Sequence, residues 1–402
     1  MHKIDKNHPS AAWIAEMRQK FPCETTVDRV LTRKLQRRAG PPFSQVPLET
    51  LVKGVQALLT AELKEPFEMA NPRWLIGGAS KVHMAFELTW SQPGTGRTTR
   101  SMVLRMEPAE STAETSRLRE FQIIRAFDGI VPVPDVYWVD DEGKYLPYPA
   151  MICGFSQGVT KPTDLPPNLS AGLGINYGQT LRPILGAQFV DCMAKIHTRD
   201  WRQADLSTMD VPSVGTTQAV EWQLNWWERV WEEDVNQDVP LMRLTMAWLR
   251  RNMPVVDHVS IIHGDYRTGN FLYTEHDNQI TAILDWELGH LGDRHEDIAY
   301  AALPPFGHFA EDGKTFLIGS FLSQEDYYAA YEKASGLPII PSVINYYNIF
   351  SIYKLVAICL ATMYRISVCG KTHQDIMTCW LIGVSYPLLE LLRTRMEETL
   401  AH

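Results

Sequence analysis

The sequence predicts an α+β chain of two lobes, a small β-rich lobe followed by a larger and mostly helical one. Three observations predict it. The chain has 402 residues, more than a single core usually holds. Between about residues 70 and 155, short β-forming runs surround one helical stretch. From about residue 175 helical spacing dominates, interrupted only near residues 258–287 by further β-forming runs.

The elements follow in chain order. Residues 1–66 read as an N-terminal helical extension, with Leu51, Val52, Val55, Leu58 and Leu59 at helical spacing and Pro41-Pro42 dividing it in two. Its basic cluster, Arg29, Arg33, Lys34, Arg37 and Arg38, reads as a solvated helix face. Residues 67–154 form the predicted small lobe. Trp74–Gly78 reads as a short apolar strand ending in two glycines, and Val82–Trp90 is rich in β formers. Ser91–Arg100, with Pro93, Gly94 and Gly96, suits a hairpin loop before a third strand at Met102–Met106. Ala113–Phe127 has Leu118, Phe121 and Ile124 on one helical side, and Val131-Pro132-Val133-Pro134 stops it. Strands at Val136–Val139 and Ala150–Phe155 complete five.

Residues 155–402 form the predicted large lobe. Helices are expected at Leu181–His197 and Val220–Glu233, and short strands at Val259–Ile262, Phe271–Tyr273 and Ile280–Leu284. Helices return from Glu296, among them Val343–Ile366 and Ile376–Glu398, the latter kinked at Pro387. Trp222, Trp226, Trp227 and Trp231 put aromatic rings near one helical face, which suits either core or the wall of an apolar ligand pocket. The same two readings hold for Tyr346, Tyr347, Phe350 and Tyr353.

Composition excludes several classes. A formal charge of −9 gives no attraction for phosphate backbones, so a nucleic-acid partner is not expected. The six cysteines lie far apart with no CxxC pair, which supports neither a zinc site nor a disulfide scaffold. Met1–Trp13 holds no apolar signal region, and charge or glycine interrupts every apolar run short of about 18 residues. No membrane span and a cytoplasmic location are therefore expected. The N-terminal helices could serve a homodimer or merely cover the small lobe.

The densest chemical signal is His263-Gly264-Asp265-Tyr266-Arg267-Thr268-Gly269-Asn270, followed by Ala282-Ile283-Leu284-Asp285-Trp286-Glu287. Phosphoryl transfer needs a carboxylate facing the acceptor hydroxyl and further oxygen ligands holding magnesium against the phosphates. Asp265 and Asn270 have the five-residue spacing that protein kinases use in H-R-D-x-x-x-x-N, and Asp285 follows after a short hairpin.

With Gly292-Asp293 and Asp297 beyond them, these motifs resemble the aminoglycoside phosphotransferase and choline kinase superfamily. The nearest resemblance is to the kinase modules linked to acyl-CoA dehydrogenases, and it covers roughly residues 70–390. It implies a two-lobed protein-kinase-like fold, ATP and Mg2+ as cofactors, and a small-molecule alcohol as substrate. Asp265 would be the catalytic base or hydroxyl-orienting residue, and Asn270 and Asp285 would hold magnesium. Gly77-Gly78-Ala79-Ser80 would be the phosphate loop, its glycines letting backbone N–H groups approach. Arg105 would stand where kinases keep the phosphate-binding lysine, with Glu120 as its ion-pair partner. Cys153 to Phe155 would form the hinge near the adenine. His263 is expected to be structural, Glu287 to touch a second metal or orient the loop, and Asp293 to brace the catalytic loop. Asp297 would cap a helix or reach the acceptor.

Acceptor identity rests on charge. Residues 346–372 contain no acid but do contain Lys354, Arg365 and Lys371, which suits a neutral or anionic acceptor, a lipophilic alcohol or hydroxyacyl compound. Phosphorylation of such a hydroxyl would prepare its elimination. Two alternatives stand beside this: an antibiotic phosphotransferase of aminoglycoside type, and a nucleotide-binding pseudokinase or scaffold. Arg105 in place of lysine is the one feature favouring the latter.

Overall fold

The computed structural model describes residues 4–75, 81–92, 94, 96–164 and 174–401, apart from the side chain at position 375. The chain begins with helices α1 (Ala11–Lys20), α2 (Thr25–Arg38) and α3 (Leu48–Glu62), with Pro41-Pro42 between the last two. Strands β1 (Glu68–Trp74), β2 (Val82–Gln92), β3 (Gly96–Met106), β4 (Val136–Asp140) and β5 (Ala150–Gly154) form one antiparallel sheet in the order β1-β2-β3-β5-β4. Helix α4 (Arg117–Ala126), capped by the Ser116 hydroxyl, sits between β3 and β4 in sequence. Leu51, Val55 and Leu58 of α3 cover one face of the sheet, packing with Val82, Met84, Phe86 and Leu104.

Two sequence expectations in this lobe are corrected. The first described strand is Glu68–Trp74, which ends where the expected strand begins, and residues 76–78 of the expected strand lie outside the described residues. Glu68–Trp74 is a polar edge strand with a register shift between Ala70 and Arg73, where Asn71 takes a left-handed φ of 52° beside Pro72. Edge strands tolerate proline and need no apolar run, so the pattern hid it. Ser91–Gln92 and Gly96–Arg100 are strand where a loop was expected: Ser91 pairs with Arg97, Trp90 with Thr98 and Thr89 with Thr99, extending the β2–β3 ladder. Gly77, Gly78 and Ser80 lie outside the described residues.

The large lobe contains α5 (Gly178–Thr198), α6 (Gln218–Asp234) and α7 (Pro240–Arg251), then β6 (Val259–Ile262), β7 (Phe271–Thr274), β8 (Gln279–Ile283) and β9 (His290–Asp293). After α8 (His295–Ala301) come a small hairpin, β10 (His308–Phe309) with β11 (Phe316–Leu317), and α9 (Gln324–Ser335). Helix α10 (Pro341–Val356) runs through a π-helical segment, Ala357–Thr362, into α11 (Met363–Val368), and α12 (Asp375–Leu400) closes the chain with Pro387 inside it. Helix α7 and strand β9 were not anticipated. Strand β9, a short run with a glycine and a terminal aspartate, is defined by its partner β6. Trp226, Trp227 and Trp231 of α6 are buried in the main core, as are Tyr346, Tyr347, Phe350 and Tyr353 of α10.

The basic face of α2 is not solvated. Lys34 pairs with Glu233 at 2.8 Å and with Asp234 at 3.2 Å, and Arg38 pairs with Glu110 and Asp234 at 2.8 and 2.7 Å. Arg33 meets Glu107 at 3.5 Å and Arg29 meets Asp141 at 2.8 Å. Glu107, Glu110 and Asp141 belong to the small lobe and Glu233 and Asp234 to α6, so α2 ties the two lobes together. Its carboxylate partners lie 72 to 200 residues away in sequence, which no local pattern reveals.

Two helical stretches, Pro341–Val368 and Ile376–Leu400, are long and apolar enough to cross a membrane by length and composition; the first is 83% buried inside the protein.

Candidate active site

Two short hairpins build the site. Pairing of Phe271 with Ile283, plus the bond from Leu284 N–H to the Asn270 carbonyl at 2.8 Å, brings Asn270 and Asp285 side by side from opposite ends of the β7–β8 hairpin. Pairing of Ile262 with His290 brings His263 and Gly264 against Leu288 and Gly289. Gly264 has φ +81°, and a Cβ there would lie 2.7 Å from the Leu288 carbonyl oxygen, so glycine is required. Asp285 itself takes a left-handed φ of 60°, an uncommon conformation for a residue with a side chain.

The loop between β6 and β7 is held from below. Asp297, on α8, accepts the backbone N–H groups of His263 and Gly264 at 2.7 and 2.8 Å and contacts His197 Nε2 at 3.2 Å. Lys354 Nζ donates to the Gly264 carbonyl at 2.8 Å and to Glu296 at 3.1 Å. The bracing role expected of Asp293 thus belongs to Asp297; Asp293 accepts the N–H and Nδ1 of His295 instead. The sequence pattern could not separate two aspartates four residues apart, because β9 ends at Asp293 and α8 begins at His295, and the turn between strand and helix decides which one reaches the loop. His263 is structural in its contacts: Nε2 meets the Leu284 carbonyl at 2.9 Å, Nδ1 the Asp265 N–H at 3.2 Å, and the ring packs on Trp286.

Asp265 is positioned by its neighbours. Asn270 Nδ2 donates to its Oδ2 at 2.7 Å, and Arg267 Nε lies 3.1 Å from its Oδ1. The Tyr300 hydroxyl also bonds to it; burial, with this carboxylate beside it, holds the Tyr300 phenol well above its ordinary range. Arg267 lies over the Phe306 ring. Sequence reasoning missed Arg267 and Tyr300, although Arg267 stands two residues from Asp265 inside the motif, and it read Lys354 as an acceptor-side cation, whereas Lys354 bonds to Gly264 and Glu296.

Across the cleft, Arg105 bridges Glu120 at 2.8 Å and Asp285 at 2.9 Å. Glu287 is engaged by Lys81 at 2.9 Å and Arg117 at 3.3 Å, and despite burial these cations hold its carboxyl down at about 2. Burial, aided by Glu287 and Asp265 and opposed by Arg105, raises the Asp285 carboxyl. Cys153 lies inside β5 opposite Val103, and Phe155 N–H donates to the Ser101 carbonyl at 2.9 Å, carrying the sheet one residue past the strand.

The residues fit a magnesium ion with bound phosphates. The Asp285 side chain is 44% exposed, which leaves its carboxylate reachable for an ion beside Arg105. Asn270 uses Nδ2 on Asp265, leaving Oδ1 as an oxygen donor. Among the described residues no group of three His, Cys, Asp or Glu side chains forms a cage, as suits an ion that takes one or two protein ligands and completes its shell with phosphate and water.

A cavity of about 220 Å³ opens from this cluster. Asp265, Arg267, Asp285 and Glu287 line its head. Its body is apolar, formed by Leu355, Ile358, Cys359, Met363, Leu381 and Leu388 from α10, the π segment, α11 and α12.

A loop carboxylate, a neighbouring amide and carboxylate, and a cation–glutamate pair beside a five-stranded sheet make the arrangement expected of a kinase-type phosphotransferase. The sequence profile of the phosphotransferase enzyme family matches residues 89–337, more than half of the chain, and the protein belongs to that family. It is an enzyme that transfers phosphate to hydroxyl groups. Among curated relatives, mouse acyl-CoA dehydrogenase family member 10 is 25% identical over 82% of this chain and 29% of its own, and human family member 11 is 25% identical over 38% and 20%. The chain thus spans a third or less of the length of these relatives. A Ralstonia eutropha crystal structure in the aminoglycoside phosphotransferase group shares the fold with a TM-score of 0.61 at 22% identity, covering 89% of this chain and 99% of its own. Plasmodium vivax ethanolamine kinase follows at 0.50 and 12%, covering 92% and 96%.

Proposed function

We propose that the chain moves the γ-phosphate of ATP, with Mg2+, to a hydroxyl on a lipophilic small molecule, with hydroxyacyl compounds as one such class. Asp265 would accept or orient the hydroxyl proton, held by Asn270, Arg267 and Tyr300. Asn270 and Asp285 would hold the ion, which when bound offsets charge on the transferring phosphate. Arg105, gripped by Glu120, would face the phosphates together with the segment at Gly77, Gly78 and Ser80, and Cys153 to Phe155 would border the adenine. A cytoplasmic location goes with this reading.

The apolar body of the cavity is the observation that carries the acceptor class. A polycationic aminoglycoside would meet acids only at the cavity head and none along that wall. The cations Lys354, Arg365 and Lys371 do not add to the case, since each is buried and bonded to protein carbonyls or Glu296. The expectation of an anionic acceptor therefore loses its support, and apolarity remains. The dehydrogenase names of the relatives favour a phosphate ester destined for elimination. Nucleotide binding without transfer is the second reading, and the Arg105–Asp285 contact favours it.

The test incubates purified protein with ATP, Mg2+ and pooled sterols, terpenols, hydroxyacyl compounds, aminoglycosides and choline, with detection of phosphate adducts by mass spectrometry. A lipophilic product made by the unaltered chain, and reduced about 10²–10⁴-fold by Asp265→Asn, is expected. Nucleotide binding with no product from any pool would favour the second reading.

A further inference from the structure

The pair that kinases share, a β3 cation with a helical glutamate, is here part of a longer chain of charges. Six side chains of alternating sign follow one another: Asp285, Arg105, Glu120, Arg117, Glu287 and Lys81. Their contacts are 2.9 Å, 2.8 Å, a short Glu120–Arg117 pair, 3.3 Å and 2.9 Å. Because Asp285 and Glu287 lie two residues apart, the chain closes on itself through the backbone of residues 285–287. It joins the loop after β8, the C-terminal end of β3, the first turn of α4 and the residue that leads into β2.

Lys81 is the unusual member. It is 1% exposed, and its Nζ meets only Glu287 and the Ser111 hydroxyl, at 2.9 and 3.1 Å, among the described contacts. Burying an ammonium group costs several kcal/mol of lost hydration, and an apolar side chain would fill the same place without that cost. Its place in the chain is also distinctive, because Lys81 directly follows Gly77-Gly78-Ala79-Ser80 in sequence. Glu287, in turn, is held from both sides by cations, Lys81 and Arg117, two residues from Asp285.

We propose that Lys81 is a positioning residue for the bound nucleotide and its metal: through Glu287 it sets the loop bearing Asp285. The start of β2 and that loop are then set as one unit, with Arg117 joining the unit to Glu120. Glu287 serves as the keystone of this arrangement and is not a ligand of a second metal. The inference rests on the phosphotransferase reading above, and it concerns nucleotide binding independently of the acceptor.

The experiment measures Mg·ATP affinity by calorimetry, with thermal melts of the nucleotide-free protein. Lys81→Met and Glu287→Gln should each weaken binding about tenfold, the double variant should be no weaker than either alone, and Lys81→Arg should recover most of the loss. A merely structural role predicts lower melting temperatures with unchanged affinity, and that result, or two effects that add, would overturn the proposal. Should Lys81→Met fail to fold, Ser111→Ala removes one of the two Nζ partners and should still lower affinity about threefold; unchanged affinity there overturns it equally. An unaltered chain that binds no nucleotide would overturn the active-site reading itself, a result distinct from the others.

Discussion

Helix α2 carries six charged side chains among its 14 residues, yet Lys34 and Arg38 are buried, whereas residues 376–389 of α12 carry no charge and leave Ile376 90%, Trp380 53% and Tyr386 61% exposed. Composition alone would place the two the other way round. The difference lies in what each meets. Helix α2 packs between the lobes, where Glu107, Glu110, Asp141, Glu233 and Asp234 supply a carboxylate for nearly every cation. The inner side of α12, through Leu381, Val384 and Leu388, lines the apolar cavity beside Asp265, and Ile376, Trp380 and Tyr386 on the helix are largely exposed. A buried ion pair is costly to break because the surviving partner stays desolvated, while an exposed apolar side chain contributes little to folding.

The sharpest way to break the contrast is at Asp234. It meets Lys34, Arg38 and the Thr362 hydroxyl at once, and those cations hold its carboxyl well below the ordinary range despite burial. Asp234→Ala leaves two buried cations short of charge and should cost about 3–5 kcal/mol in denaturant unfolding. A loss under about 1 kcal/mol would mean that water reaches the α2 seam.

Glu114, beside the same seam, has the opposite sign. Burial, with Glu107 and Glu110 nearby, pushes its carboxyl up from 4.5 to about 7. Between those values the unfolded chain has released the proton and the folded chain has kept it, so stability falls as pH rises through the window. Glu114→Gln, which keeps an oxygen for the Ser111 N–H, should remove that slope and add on the order of 1–3 kcal/mol near pH 8. Melts from pH 4 to 8 for both proteins check it.

On the α12 side the expected effect is smallest. Ile376→Ser and Trp380→Ser should change unfolding stability by no more than about 0.5 kcal/mol. A drop beyond about 1.5 kcal/mol that depends on protein concentration would show that a second copy covers this face.

By itself the sequence determined the two-lobed α+β class, four of the five strands of the small lobe with its single helix, and the Asp265, Asn270 and Asp285 constellation. These were legible because they are local: alternation and helical spacing report elements, and a loop-and-hairpin spacing fixes three side chains within 21 residues. The pairing of Arg105 with Glu120 came from the resemblance, and the geometry carries it at 2.8 Å. Tertiary structure alone decided the rest. Edge strand β1 and short strand β9 exist through their partners, and the turn from β9 into α8 chose Asp297 over Asp293 as the brace of the loop bearing Asp265. The fates of Lys34, Arg38, Lys81 and Lys354 were also set there, because a charge is buried or solvated according to carboxylates and carbonyls that lie far away in sequence and near only after folding.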